Sequence, residues 1–373
     1  MARRKPTSRK KRGSGCLGRL FAVLFLGILA VGAGAAWLVL TPYGPETETF
    51  VTLAPGSGTA RMGEALERAG IVRSRYAFDL MGVYARVSKR GTLKAGEYRF
   101  DHAAPVTEVY SRIARGDVFT LSVTIPEGAN MFDVASRLEQ AGLAGGQAFV
   151  DAAENGRGLV ADLDPRARNL EGYLFPDTYH FARKASAAQI AAAMVRRFRV
   201  IAGQLGLTQA GLGEAGLRQA GGKENLHDLV TLASIVERET AVEAERELVA
   251  SVFENRLAKK MPLMTDPSVI YGLELEGRWR GTIYASDLKR DTAYNTYLHA
   301  GLPPGPIANP GMKSLRAAME PAQTDFLYFV AAGANPQGHS IFSRTLEDQN
   351  KAVAGYRHAM GRDGHAVKKA GGR

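Results

Sequence analysis

Leu66-Glu-Arg-Ala-Gly70-Ile71 returns about 72 residues later as Leu138-Glu-Gln-Ala-Gly142-Leu143. The same offset carries Val51-Thr52-Leu53 onto Val123-Thr124-Ile125, and Gly56 onto Gly128. A fixed period of this length marks a repeated supersecondary unit. Each copy reads as a strand, a glycine turn, an amphipathic helix and a glycine cap. The first copy continues with a second helical pattern from Tyr76 to Val87. A strand follows in Lys94-Ala-Gly-Glu-Tyr-Arg-Phe100. Strand-helix-helix-strand is a small module, expected over 46–120, and it carries no cluster of His, Asp or Cys. From Asp133 onward the pattern is mainly helical with long irregular loops. The expected class is therefore α+β, with a larger helical domain over 121–350.

Ahead of the repeat, Leu20 to Leu40 contains no charged residue. As a helix this run spans roughly 30 Å, one bilayer core. Arg3, Arg4, Lys5, Arg9, Lys10, Lys11, Arg12 and Arg19 precede it and supply most of the net charge of +11. Basic residues stay on the cytoplasmic side, so 1–19 is expected inside, 20–40 across the inner membrane, and the rest in the periplasm. The alternative is a cleaved signal peptide, with Ala33-Gly-Ala35 as a weak cleavage site. The apolar run is longer than a usual signal core, which favours an uncleaved anchor. Thr41 to Glu48 is a Pro/Gly/Glu linker.

Cys16 is the single cysteine, so neither an internal disulfide nor a cysteine-based metal site is available. The seven histidines lack ligand spacing, and neither an H-E-x-x-H nor a phosphate-binding glycine motif occurs. No metal or cofactor is expected. The middle of the chain is near neutral, which excludes a nucleic-acid footprint. Ile201 to Gly222 looks like a variable surface excursion, and 351–373 is expected to be poorly ordered.

One segment points to chemistry. In Leu229-Val-Thr-Leu-Ala-Ser-Ile-Val-Glu-Arg-Glu-Thr240, helical spacing puts Leu229, Leu232, Ala233, Ile235 and Val236 on one apolar face. Glu239 projects into that same sector. Thr240-Ala-Val-Glu243 reads as a capping box, so a new helix is expected from Thr240 to about Lys260. A carboxyl at such a joint, in partly apolar surroundings, has its pKa raised by desolvation and suits a general acid. Glu237 lies about 200° around the helix and faces elsewhere. Further on, Thr265-Asp266-Pro267-Ser268 ends a turn, and Thr292-Ala-Tyr294-Asn295-Thr-Tyr297 sets rings beside an amide. Rings cover apolar sugar faces, and amides bond sugar hydroxyls. Leu170-Glu171-Gly-Tyr-Leu-Phe175-Pro-Asp177-Thr-Tyr179 repeats that chemistry.

The run from Leu232 through Glu237-Arg-Glu239, Asn255-Arg-Leu and Thr265-Asp-Pro-Ser-Val-Ile-Tyr-Gly272 closely resembles the YceG-like family, the MltG-type endolytic murein transglycosylases. Gly301-Leu-Pro-Pro-Gly305, Ile307-Ala-Asn-Pro-Gly311 and Glu171-Gly match it too, as does Lys94 to Phe100. The first module also resembles the LysM-like module of peptidoglycan proteins. The resemblance implies a lyase that cleaves the β-1,4 bond between N-acetylmuramic acid and N-acetylglucosamine, leaving a 1,6-anhydro end and terminating nascent strands. It places the catalytic glutamate at Glu239. Asp266, Tyr294 and Asn295 become candidates to orient the sugar, with Thr265, Tyr297 and Glu171 as further substrate contacts. Glu171 and Asp177 are otherwise structural or groove-lining. Expected partners are peptidoglycan strands, the inner membrane and peptidoglycan synthases (penicillin-binding proteins). Two rival readings remain. One is a lysozyme-type hydrolase using Asp266 or Glu171 as second carboxylate. The other is a non-enzymatic adaptor built on the first module.

Overall fold

The computed structural model describes residues 15–88, 92–207, 225–333 and 338–370. The basic cluster at 3–12 lies outside them. The chain divides into two compact units, Met1–Thr120 and Leu121–Arg373.

In the first unit, helix α1 covers Gly15–Leu40. Its segment Arg19–Leu40 has 22 residues and a mean hydropathy of 2.4, long and apolar enough to cross a bilayer. Strand β1 (Thr49–Leu53) pairs antiparallel with β2 (Gly96–Phe100), setting Val51 opposite Tyr98. Between them run α2 (Thr59–Arg68) and α3 (Arg75–Val87), and α4 (Val106–Arg115) follows. Val51 and Leu53 point inward while Thr52 points out, the alternation of a half-buried strand. Leu66, Phe78, Tyr98, Phe100 and Ile113 form the buried centre, and Val39 from the end of α1 joins them.

The second unit opens with the same order. Strand β3 (Leu121–Thr124) is followed by α5 (Met131–Gln140) and α6 (Gly146–Asn155). Strand β4 (Thr178–Phe181) then pairs antiparallel with β3. From Thr59 to Met131, the starts of α2 and α5 are 72 residues apart. Gly70 and Gly142 close these helices at φ of 71° and 73°, backbone that residues with a Cβ rarely adopt. The repeat therefore reaches further than Leu143. Its second copy has its own second helix and closing strand, delayed by the insertion 156–177.

Helices α7 (Ala187–Gln204), α8 (Leu226–Glu239), α9 (Arg246–Ala258), α10 (Asp266–Leu275) and α11 (Met312–Met319) follow. The hairpin β5 (Tyr328–Ala331) and β6 (Ser340–Ser343) leads into α12 (Leu346–Ala370). Helix α8 is the hub, packed against α9, α10 and α11. From Leu226 to Val236 every residue except Asp228 is buried. A helix apolar around its circumference belongs in a core.

Two expectations change. Ile201, Ala202 and Leu207 are buried, so the expected surface excursion begins inside the core, and the remainder, 208–222, lies outside the described residues. Helix α12 runs past Lys351 as far as Ala370, and 371–373 lies outside the described residues. Thr345 Oγ1 accepts the Asp348 amide at 3.1 Å, and Lys351 pairs with Glu347 one turn away at 2.7 Å. Leu138 is fully buried in the second unit's core. Leu138→Ala should destabilise that unit by about 2–5 kcal/mol, measured by denaturant unfolding.

Candidate active site

Helix α8 ends at Glu239 because Thr240 turns extended, with φ −137° and ψ 131°. The expected capping box does not form. Thr240 Oγ1 accepts the Val242 amide at 3.0 Å, a local turn that competes with helix. Glu243 bonds Lys313 instead of the Thr240 backbone. One short 3-10 turn over Glu243–Glu245 intervenes, and α9 begins only at Arg246. The joint is thus longer than the sequence pattern predicts, and it leaves the Glu239 carboxyl at the mouth of the core.

Glu239 lines a cavity of about 220 Å³. Phe253 and Arg256 of α9, Leu263 and Met264 of the following loop, and Asp266 and Pro267 at the start of α10 line it too. Tyr297 and Phe329 complete the wall. Burial, the largest influence, pushes the Glu239 carboxyl above the usual glutamate range. The buried Thr265 hydroxyl beside it pulls the other way, Asp266 pushes up again, and Arg256 and Arg238 pull down; the net shift is upward. Asp266 accepts the Tyr297 hydroxyl at 2.6 Å, which fixes both side chains at the wall. Burial and that bond to Asp266 raise the Tyr297 phenol, so it stays protonated and donating.

Arg256 is anchored by backbone. Its Nε donates to the Leu327 carbonyl and its Nη1 to the Leu263 carbonyl, both at 2.7 Å. Its guanidinium sits 5.3 Å from the centre of the Tyr328 ring. The cavity therefore holds two carboxyl groups and one cation held in place. Met264 occupies the left-handed region at φ 54°, a strained conformation for a side-chain-bearing residue. The Met264 and Thr265 amides hold it there, donating to the Thr296 carbonyl at 3.1 Å and the Thr296 hydroxyl at 3.0 Å.

The other sequence candidates lie elsewhere. Asn295 is buried, and its amide nitrogen donates to the Leu288 and Arg290 carbonyls at 3.0 and 2.7 Å. Its oxygen accepts the Tyr297 amide at 3.0 Å, so it shapes the loop that presents Tyr297. Tyr294 packs edge-on against Tyr271, with its phenol pushed up to about 12 by burial. Glu171 is 1% exposed. Its two oxygens accept the Met131 amide at 2.9 Å and the Asn309 amide at 2.8 Å. Burial pushes it up to about 8. Neither Tyr294 nor Glu171 lines the cavity. The segment 170–179 is held by further bonds: Tyr173 bonds Asp164, Tyr179 donates to the Phe175 carbonyl at 2.5 Å, and Asp177 pairs with Arg197 at 2.6 Å.

Sequence reasoning missed Arg256 and Asn309. Arg256 stands three residues after Phe253, on the same helical face, so spacing alone could have joined them. Asn309 had no such signal. Its oxygen accepts the Gly172 and Leu174 amides, both at 2.9 Å, across more than a hundred residues. Among the described residues, no group of three or more His, Cys, Asp or Glu could hold a metal ion.

The YceG-like family model matches residues 51–355. The chain belongs to the YceG-like family. It is 31% identical to a Bacillus subtilis protein named endolytic murein transglycosylase, over 83% of this chain and 85% of that one. A Streptococcus pneumoniae protein of the same name is 27% identical over 89% of this chain and 64% of its own length. A crystal structure of a YceG-like protein from Listeria monocytogenes is similar at 30% identity with a TM-score of 0.53, covering 82% of this chain and 99% of that one.

A pH dependence of stability follows from two carboxyls outside the cavity. Burial raises Glu171 to about 8 and Glu274 to about 7, against an ordinary value of 4.5. Between the ordinary and raised values the folded state holds protons that the unfolded state has released. Their contribution is thus complete below about pH 4.5 and is lost as pH rises through about 7 to 8. Thermal midpoints should decline over that window. Glu274→Gln should flatten the decline, and an unchanged slope would assign it to other groups.

Proposed function

We propose that this protein is a membrane-anchored endolytic lytic transglycosylase of peptidoglycan. The observation that carries the reading is the Glu239 carboxyl at the wall of a cavity, its pKa raised by burial. The names of the Bacillus subtilis and Streptococcus pneumoniae relatives support it. In the first step Glu239 donates its proton to the glycosidic oxygen between N-acetylmuramic acid and N-acetylglucosamine. The bond from the muramyl C1 to that oxygen breaks, and its electrons go to the leaving oxygen. The 6-hydroxyl of the same muramyl residue attacks C1. Its proton passes to the Glu239 carboxylate, which restores the acid. The new end is a 1,6-anhydro ring, and no water is consumed. A raised pKa serves the first step, and the regenerated carboxylate serves the second. Asp266, fixed by Tyr297, supplies a negative charge on the same wall to steady the positive charge that develops at C1.

The apolar α1 anchors the enzyme in the inner membrane, with its basic N terminus cytoplasmic and the catalytic unit periplasmic. The first module serves as a LysM-like glycan-binding element. Cleavage of strands as they leave their synthases, the penicillin-binding proteins, would terminate elongation. A second reading has one observation in its favour: Asp266 shares the cavity with Glu239, as the second carboxylate of a hydrolase would. Mass analysis of digested glycan separates the two, since a lyase leaves anhydro ends and a hydrolase leaves reducing ends.

Glu239→Gln keeps shape but can neither donate nor accept the proton. Activity on purified glycan should fall at least about 10²–10⁴-fold while glycan binding persists. Near-normal release of anhydro products by this variant would rule out the mechanism. Because Glu239 must be protonated first, activity should fall as pH rises through its raised pKa. Asp266→Asn removes a charge that pushes Glu239 up, so that limb should move to lower pH.

A further inference from the structure

Helix α3 is apolar on two opposite faces. At about 100° per residue, its buried residues Ala77, Phe78, Gly82 and Ala85 occupy one side. Tyr76, Leu80, Val83, Tyr84 and Val87 fall within an arc of about 100° on the other side. These five are 68%, 49%, 55%, 53% and 80% exposed. Apolar residues scattered singly over a surface are ordinary, but five in one continuous helical stripe mark a binding face. The buried side meets α2, so the stripe faces away from that helix.

Three observations identify what covers it. First, α3 packs against α1, and α1 sends Val39 into the same core. The module is therefore joined to the last turn of the apolar span without a spacer. Second, the Arg73 guanidinium lies 4.5 Å from the Trp37 ring centre and 4.8 Å from that of Tyr43. Trp and Tyr gather at the bilayer–water boundary, so this cluster marks the lipid surface just before α3 begins. Third, Arg73 just before α3 and Arg75 and Arg86 on it outnumber Asp79, the one acid on that helix. Cations beside an apolar stripe with tyrosines suit an anionic headgroup layer.

We propose that the outer face of α3 seats on the lipid bilayer beside the anchor, with Tyr76, Leu80, Val83, Tyr84 and Val87 entering the headgroup–acyl boundary. This rests on the anchoring proposed above. The protein then meets the membrane at two places, a span and a surface helix. Two attachments hold the first module at one angle to the bilayer, where a single span alone would leave its tilt open.

The test uses the full-length chain with Cys16→Ser, which removes the native thiol. Single cysteines are placed by Val83→Cys, Val87→Cys, Val31→Cys in α1 and Glu64→Cys on α2, and each is labelled with an environment-sensitive fluorophore. The proteins are reconstituted in nanodiscs of zwitterionic and anionic phospholipid, with and without a lipid-borne quencher. Labels at 83 and 87 should be blue-shifted and quenched several-fold more than the label at 64, as the label at 31 is. If 31 is quenched while 83 and 87 behave like 64, the inference is overturned and the anchor stands. If 31 is not quenched either, the anchor reading fails and takes the inference with it. If labels at 83 and 87 are shielded from an aqueous quencher in native membranes yet unquenched from lipid, a protein covers the stripe and the inference is wrong.

Discussion

Burial of one carboxyl at the end of a core helix is the constraint around which the second unit is arranged. Glu237 and Glu239 stand two residues apart on α8 and meet opposite surroundings. Glu237 pairs with Arg246 at 3.0 Å and accepts the Gly311 amide at 2.9 Å. Glu239 has burial as its dominant influence and Arg256 only as an opposing one. The two acids thus differ in setting: Glu237 is pinned by Arg246 and the Gly311 amide, while Glu239 lines the cavity, where burial raises its pKa.

Such a carboxyl is costly to hold, and the surrounding contacts make it possible. Helix α8 is tied along its length to the loop that follows Gly301. The Ile307 amide donates to Ser234 Oγ at 3.0 Å, and His227 bonds the Pro304 carbonyl at 3.0 Å. His227 also bonds buried Asp164 at 2.7 Å. Asn309 completes the tie by joining that loop to the backbone of 129 and of 172–174. These bonds satisfy buried polar groups that would otherwise destabilise the core. They also join α8 to that loop at both Ser234 and His227.

What the sequence could reveal divides along physical lines. Local periodicity carried the βααβ order of the first module, the apolar span and the inward aim of Glu239, because each depends on neighbours within two turns. The helix boundary at Thr240 misled, since a threonine followed by a glutamate three residues on suits both a capping box and the local turn that forms. Glu171, Tyr294 and Asn295 resemble sugar ligands in type, yet Asn295 bonds the backbone of its own loop, and the partners of Glu171 and Tyr294 come from further along the chain. Asn309 and the His227–Asp164 bond join positions 63 to 180 residues away. No spacing pattern announces such pairs. The closing strand β4 was hidden by the insertion that separates it from its repeat.

The protonation of Glu239 itself can be followed directly. Infrared titration of the folded protein, differenced against Glu239→Gln, isolates that carboxyl's absorption. A pKa shifted upward from the ordinary glutamate value of 4.5 is expected. Titration at or below that value would contradict the desolvated general acid on which the proposed chemistry depends.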